Sequence, residues 1–350
     1  MGIGMAAPAQ RGGLLALLAA VLFGLSTPLV QHFGSGLGAF TTAALLYAGA
    51  AFVAWVIRHP PEREARLTRS DIPRIAAMAA FGAVIGPVAL AWGLQRTSGS
   101  SASLMLALEA LFTAVLAWRF YGESMDKRVV VAMLIMLSGG MALVLEQGLA
   151  GGTQLTGLLA VLVATVAWGV DNTLSRGVAD RDPGQVVFAK SALGVAATAA
   201  LAAAFGEPVP DGVSTGALLA IGATGYGLSL RLYLLAQREF GAGRTGSVFA
   251  FAPFIGALGA FALGSREGTW MLVVGGVLML TGVVLHLMES HRHEHVHVVL
   301  EHEHAHTHDD GHHLHVHELM PSGPHSHLHR HEPVRHEHPH VPDAHHLHAH

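Results

Sequence analysis

SASLMLALEALFTAVLAWRFYGE fills residues 101–123, and TGSVFAFAPFIGALGAFALGSRE fills residues 245–267. The two align without a gap: Glu123 falls on Glu267 and Glu109 on Pro253, 144 residues later. A second pair, VLFGLSTPL (21–29) and VAWGVDNTL (166–174), aligns at an offset of 145. Two matches at nearly the same offset describe a chain built twice. Each stretch belongs to an apolar run close to the ~20 residues that cross ~30 Å of hydrocarbon as a helix. Ten such runs lie at about 12–33, 37–57, 75–95, 98–118, 128–146, 155–176, 185–205, 215–236, 243–263 and 268–288. The expected fold is an all-α membrane protein of ten transmembrane helices. Five helices per half is an odd number, so the halves point in opposite directions. This 5+5 inverted repeat predicts a solute site at the repeat interface near the midplane.

Composition changes abruptly near residue 290. The first 290 residues hold 17 of the 20 Lys and Arg and 15 of the 24 Asp and Glu; the last 60 hold 23 of the 26 histidines. Three units follow: a first five-helix repeat at 1–146, a second at 147–290, and a histidine-rich tail at 291–350. So few charges across the apolar runs argue against a soluble core and make the lipid bilayer the expected partner. No basic patch points to nucleic acid. The absence of cysteine excludes disulfides and thiolate metal sites. No Walker sequence gives reason to invoke ATP, and neither an enzyme nor a prosthetic group is expected. With Arg11 taken as inside, the inner loops hold Arg58, Arg63, Arg66, Arg69, Arg74, Arg119, Lys127, Arg128, Arg176, Arg181, Arg238 and Arg244, and the outer loops only Arg96 and Arg266. This bias predicts a multi-pass protein of a bacterial inner membrane with both termini cytoplasmic. A homodimer is left open.

Four stretches resemble a known family: Glu-Ala-x-Phe-Thr-x-x-x-Ala-Trp from Glu109 to Trp118, Trp-Gly-x-Asp-Asn-x-x-x-Arg from Trp168 to Arg176, GYGLSL (225–230) and APFIGA (252–257). They look like the EamA-type branch of the drug/metabolite transporter superfamily, over about residues 12 to 288. The tail, from LHLMESHRHEHVH to the last residue, is similar to the histidine-rich extension of a subgroup associated with nickel and cobalt resistance. The resemblance implies a secondary transporter with an inverted repeat. Arg231, inside GYGLSLRLYLL, departs from the apolar residue that the resemblance implies there.

Ionisable residues inside apolar runs are costly and usually face a cavity or a partner. Glu109 sits about ten residues from either end of its run. Ala102, Met105, Thr113 and Ala117 share its helix face, which is smaller and more polar than the opposite face with Leu104, Leu111 and Val115. The alternative is a protonated glutamate bridging helices. Asp171 and Asn172 lie near one end of the sixth run, and Lys190 lies at a similar depth in the seventh, where it can pair with Asp171. His32 and Met105 are secondary candidates. Arg231 can reach the interface by snorkelling.

In the tail, nearly every second residue is histidine. Alternate residues of an extended chain share a face about 7 Å apart, and neutral imidazole suits Ni, Co and Zn. His291, His293, His295, His297, His302, His304, His306, His308, His312, His313, His315, His317, His325, His327, His329 and His331 are the expected metal ligands. Few apolar residues accompany them, so disorder is expected without metal. Together these readings predict a proton-coupled exporter of a divalent metal cation, nickel or cobalt first, with Glu109 binding proton and metal alternately. The alternative is an exporter of a small organic metabolite or amino acid whose tail is a metal-responsive regulator.

Overall fold

The computed structural model describes residues 6–57, 65–121, 127–178, 181–240, 242–265, 269–287, 291–296, 300–306, 325–331 and 335–340. Eight segments among them are long and apolar enough to cross a membrane: Arg11–Phe33, Ala39–Val56, Arg69–Leu94, Gly99–Phe120, Lys127–Ala150, Gly152–Val178, Pro183–Ala204 and Gly212–Gln237. The ninth and tenth expected runs fold as shorter apolar helices. The ninth is split in two because Pro253, at the head of its second piece, has no N–H to continue the first.

The helices are α1 (Ala6–Phe33), α2 (Ala39–Val56), α3 (Ile72–Met78), α4 (Gly86–Leu94), α5 (Gly99–Met105), α6 (Leu108–Tyr121), α7 (Lys127–Ala150), α8 (Gly152–Ser175), α9 (Pro183–Ala204), α10 (Gly212–Ile221), α11 (Ser229–Phe240), α12 (Ala242–Phe249), α13 (Ala252–Ala262) and α14 (Trp270–Leu287). The third and eighth membrane segments are continuous only through a π-helical turn. Ala79–Ile85 joins α3 to α4, and Gly222–Leu228, starting 143 residues later, joins α10 to α11. The fourth segment breaks at Leu106–Ala107, between α5 and α6. Its counterpart breaks at Ala250–Phe251, between α12 and α13, 144 residues later. All these irregularities fall at the spacing of the sequence repeat.

Packing follows the same spacing. α2 lies against α9, and each crosses to the other half: α2 packs on α10 and its π turn, α9 on the π turn after α3. Glycine makes these approaches close. A Cβ at Gly49 or Gly222 would meet the backbone of the facing helix, Leu219 and Leu46 respectively. Likewise α1 packs on α11 and α13, α8 on α4 and α6, and α7 on α14. A contiguous buried cluster around Leu46, Leu90, Met105, Leu158, Leu218 and Met279 fills the centre. Arg231 does not snorkel to the surface: it is buried, and its Nη1 donates to the Ile57 carbonyl beyond the end of α2 at 2.9 Å.

The described parts of the tail are not without structure. They form β1 (His291–Val296), β2 (Leu300–His306), β3 (His325–His331) and β4 (Arg335–His340), with β1 antiparallel to β4 and β2 antiparallel to β3. The alternation that spaces the histidines is also the period of a strand, which favours extended pairing over an open coil. The register sets His302 opposite His329, His304 opposite His327, His306 opposite His325, and His291, His293 and His295 opposite His340, His338 and His336. His331 faces Leu300. His297, His308, His312, His313, His315 and His317 lie outside the described residues.

Candidate functional site: a polar centre walled by aromatic side chains

The π turn in the third membrane segment builds one wall. The Gly86 N–H bonds to the Phe81 carbonyl, five residues back. The next position in that register is Pro87, which has no N–H to offer Gly82. The Gly82 carbonyl is therefore free, and two side chains take it: the Tyr47 hydroxyl, and the Trp168 Nε1–H at 3.1 Å. A carbonyl released from a helix ladder thus fixes two aromatic groups from α2 and α8.

These rings continue into a cluster. Phe23 meets Trp168 edge-on at 5.6 Å, Tyr226 at 5.9 Å and Phe249 at 5.4 Å. Tyr47 meets Tyr226 at 5.6 Å, and Tyr233 meets Phe249 at 5.0 Å. With Gly225, Ser229 and Leu230 they enclose a cavity of about 60 Å³ that also holds Glu109, Asp171, Asn172 and Lys190. That is room for a few water molecules; an organic solute needs the walls to move.

The four polar residues form two pairs. Asn172 Nδ2 donates to Glu109 Oε1 at 2.5 Å, across from α8 to α6. Lys190 Nζ is an ion pair and hydrogen bond to Asp171 Oδ2, across from α9 to α8. Asp171 and Lys190 are almost wholly buried. Among the described residues Asp171 Oδ1 and the Tyr226 hydroxyl meet no partner at hydrogen-bonding geometry, so the cavity offers unused acceptor and donor capacity. Gly82 belongs to the same arrangement, since a Cβ there would run into the Asp171 carboxylate and the Lys190 ammonium. The break before α6 sets Glu109 in that helix's first turn, where the helix dipole favours negative charge.

Of the sequence candidates, Glu109, Asp171, Asn172 and Lys190 come together here. His32 does not: it is exposed near the end of α1, edge-on to Phe33. Met105 is buried in the central apolar cluster. Among the described residues no three His, Cys, Asp or Glu side chains converge as a metal site would require. Sequence reasoning missed the aromatic wall. Phe23 and Trp168 occupy the same position of the aligned FG and WG pairs, a usable signal. Tyr47, Tyr226, Tyr233 and Phe249 carry none beyond being aromatic in apolar runs.

The protein is similar to several known ones. An uncharacterised transporter of Methanothermobacter thermautotrophicus is 27% identical over 293 residues, covering 78% of this chain and 85% of that protein. A probable terminal-alkyne amino-acid exporter of Streptantibioticus cattleyicolor is 32% identical over 120 residues, covering 34% of this chain and 40% of that protein. A solved crystal structure shares the fold with a TM-score of 0.57 at 19% identity, covering 78% of this chain and 94% of that one. The model of the EamA-like transporter family matches twice, over residues 10–145 and 155–288. Two matches spanning most of the membrane bundle make this multi-pass chain a member of the EamA-like transporter family.

Proposed function

We propose that the protein is a secondary transporter of a small zwitterionic solute of the amino-acid class, exchanged for protons at Glu109. One observation carries this reading: a single cavity brings together two carboxylates, one ammonium and a wall of aromatic rings. Lys190 suits a solute carboxylate. Glu109, Asp171 and the aromatic faces suit a solute ammonium, by charge and by cation–π attraction. The probable terminal-alkyne amino-acid exporter of S. cattleyicolor, similar over part of the chain, supports the same class. A net-neutral solute crosses without electrical cost, so export needs only a proton moving the other way. Glu109, exposed alternately to each side, takes a proton from one face and gives it to the other, with Asn172 orienting its carboxylate.

A divalent metal cargo is the second reading, and the tail favours it: five of the cross-strand partnerships in the register just described set histidine opposite histidine in alternate positions, and a sixth joins His306 to His325. Expelling two charges against ~100 mV costs about 4.6 kcal/mol before any concentration gradient, so this cargo too requires proton exchange. The cavity speaks against it, offering two carboxylates and no imidazole. In the first reading the tail binds Ni, Co or Zn as a buffer or regulator. Ten crossings, with α12–α13 as the ninth and α14 as the tenth, return the chain to the cytoplasmic face of a bacterial inner membrane. The test is proton-driven flux into inside-out proteoliposomes across a panel of amino acids, amines, Ni²⁺ and Co²⁺. Flux of an amino acid or amine supports the proposal. Flux of metal alone would replace it with the second reading.

A further inference from the structure

Two sets of contacts tie one half of the bundle to the other, and they lie at opposite ends of α9. The first set precedes α9. Arg181 Nε meets Asp71 Oδ2 at 3.1 Å, and the same oxygen accepts from Thr68 N at 2.8 Å and Thr68 Oγ1 at 2.7 Å. Arg74 Nη1 donates to the Gly177 carbonyl at 2.6 Å, Leu67 N to Gln185 Oε1 at 3.1 Å and Asp182 N to the Ala65 carbonyl at 2.7 Å. The second set follows α9. Glu207 accepts from Phe40 N at 3.2 Å, Thr41 N at 2.7 Å and Thr41 Oγ1 at 2.8 Å, while Phe205 stacks on Phe40 at 5.3 Å. The 22 residues of α9 separate the two sets by about 33 Å, a membrane thickness.

The two sets occupy neighbouring, not identical, positions of the repeat. Advancing residues 65–71 by 144 positions gives 209–215, and moving 181–185 back by 144 gives 37–41. Gln185 thus maps onto Thr41, while Leu67 maps onto Asp211, four residues after Glu207. Each set also opens a membrane segment interrupted by a π turn: Asp71 stands at the start of the third, and the eighth starts five residues after Glu207. Both π turns reach the cavity, one through Gly82 and the other through Gly225 and Tyr226. Beside Glu207 lies a recess of about 570 Å³, lined by Phe40, Val84, Val88, Trp92 and Arg96 among others. It is wide enough for an amino acid, whereas the central cavity is not.

We propose that the Asp71–Arg181 set and the Glu207–Thr41 set are the two gates of the transporter, released one at a time, with the π turns as their hinges. In the structure both are closed, which accounts for the small central cavity. Parting Asp71 from Arg181 lets the third segment tilt at its π turn and opens the cavity to that end. Parting Glu207 from the start of α2 lets the eighth segment do the same toward the recess. The gates are chemically unlike: one is an ion pair, the other a carboxylate on backbone amides and a hydroxyl. Each can therefore be weakened separately.

The natural absence of cysteine allows a direct test on the full chain. A reporter thiol is placed in the cavity wall by Ser229→Cys. Leu67→Cys with Gln185→Cys brackets the first gate, and Thr41→Cys with Glu207→Cys the second. A reducible bifunctional thiol reagent joins either pair, and an impermeant thiol label is then added to one side of sealed vesicles of known orientation. With the first gate joined, the reporter should react only from the recess side; with the second joined, only from the opposite side; with both joined, from neither. Without cross-links, Asp71→Asn should speed labelling from its own side on the order of tenfold, and Glu207→Gln from the other. Labelling through a joined gate at the unjoined rate would overturn the proposal, as would both substitutions speeding the same side. The readout needs no solute, so the gates stand or fall independently of what is carried.

Discussion

Glu109 owes its place to chain geometry as much as to its charge. The break at Leu106–Ala107 starts α6 just ahead of it, and Asn172 holds one carboxylate oxygen. Glu109→Gln keeps shape and much of that hydrogen bond but cannot ionise. It should leave thermal unfolding in detergent near the wild-type value while lowering proton-driven flux by about 10²-fold or more. Glu109→Asp should retain part of the flux with a displaced pH profile. Asp171→Asn strands a buried ammonium. Losing one member of a buried pair costs about 3–5 kcal/mol, so the single variant should unfold at a clearly lower temperature and Asp171→Asn with Lys190→Met should recover most of the difference. No recovery would mean that Lys190 has other work than neutralising Asp171. These ionisable groups were legible because a charge within an apolar run stands out. The aromatic wall was not, because Tyr47 and Tyr226 sit among apolar residues that serve equally well as core.

At the scale of elements, periodicity located nearly every membrane segment but could not show where the ladder slips. A π turn keeps the apolar pattern of the α-helix around it, so Ala79–Ile85 and Gly222–Leu228 read as ordinary helix. Pro87 and Pro253 stand at two of the irregularities; the break at Leu106–Ala107 has no proline to announce it. The glycines now divide by what they face. Gly222→Ala would press a methyl onto the Leu46 backbone, an overpacking that costs about 1–3 kcal/mol. Gly216, in α10 six residues earlier, faces open space, and Gly216→Ala should be neutral or slightly stabilising. A thermal scan showing equal effects of the two would contradict the close packing of α2 on the eighth segment.

For the whole molecule, the composition break near residue 290 separated tail from bundle, and the described parts of the tail pair as strands where an open coil was expected. The backbone groups of a histidine-rich chain still need partners, and His-x-His spacing suits strand pairing as well as it suits metal. The cavity and the tail thus offer two places of different chemistry. Removing residues 291–350 should leave flux through the bundle intact and abolish high-capacity Ni²⁺ or Zn²⁺ binding at pH 7.5. In the full chain that binding should fall away near pH 5, because imidazole must be neutral to ligate and its reference pKa is ~6.5. Equilibrium dialysis at the two pH values checks this; binding unchanged by truncation would place the metal in the bundle instead.

The exchange of α2 and α9 between the halves also bears on how the chain is made. The surface of α2 at Gly49 waits for Leu219, which is synthesised 170 residues later. Until then the first five segments present a small-residue face with nothing to close on it, a face suited to helix–helix contact in lipid rather than to lipid itself. The nascent first half is thus an unfinished interface, and its natural complement is the second half whether or not the two are covalently joined. Residues 1–150 and 151–350 expressed together from separate messages should therefore assemble into an active bundle. Either piece alone should be cleared by membrane proteases, as pulse-chase decay would record.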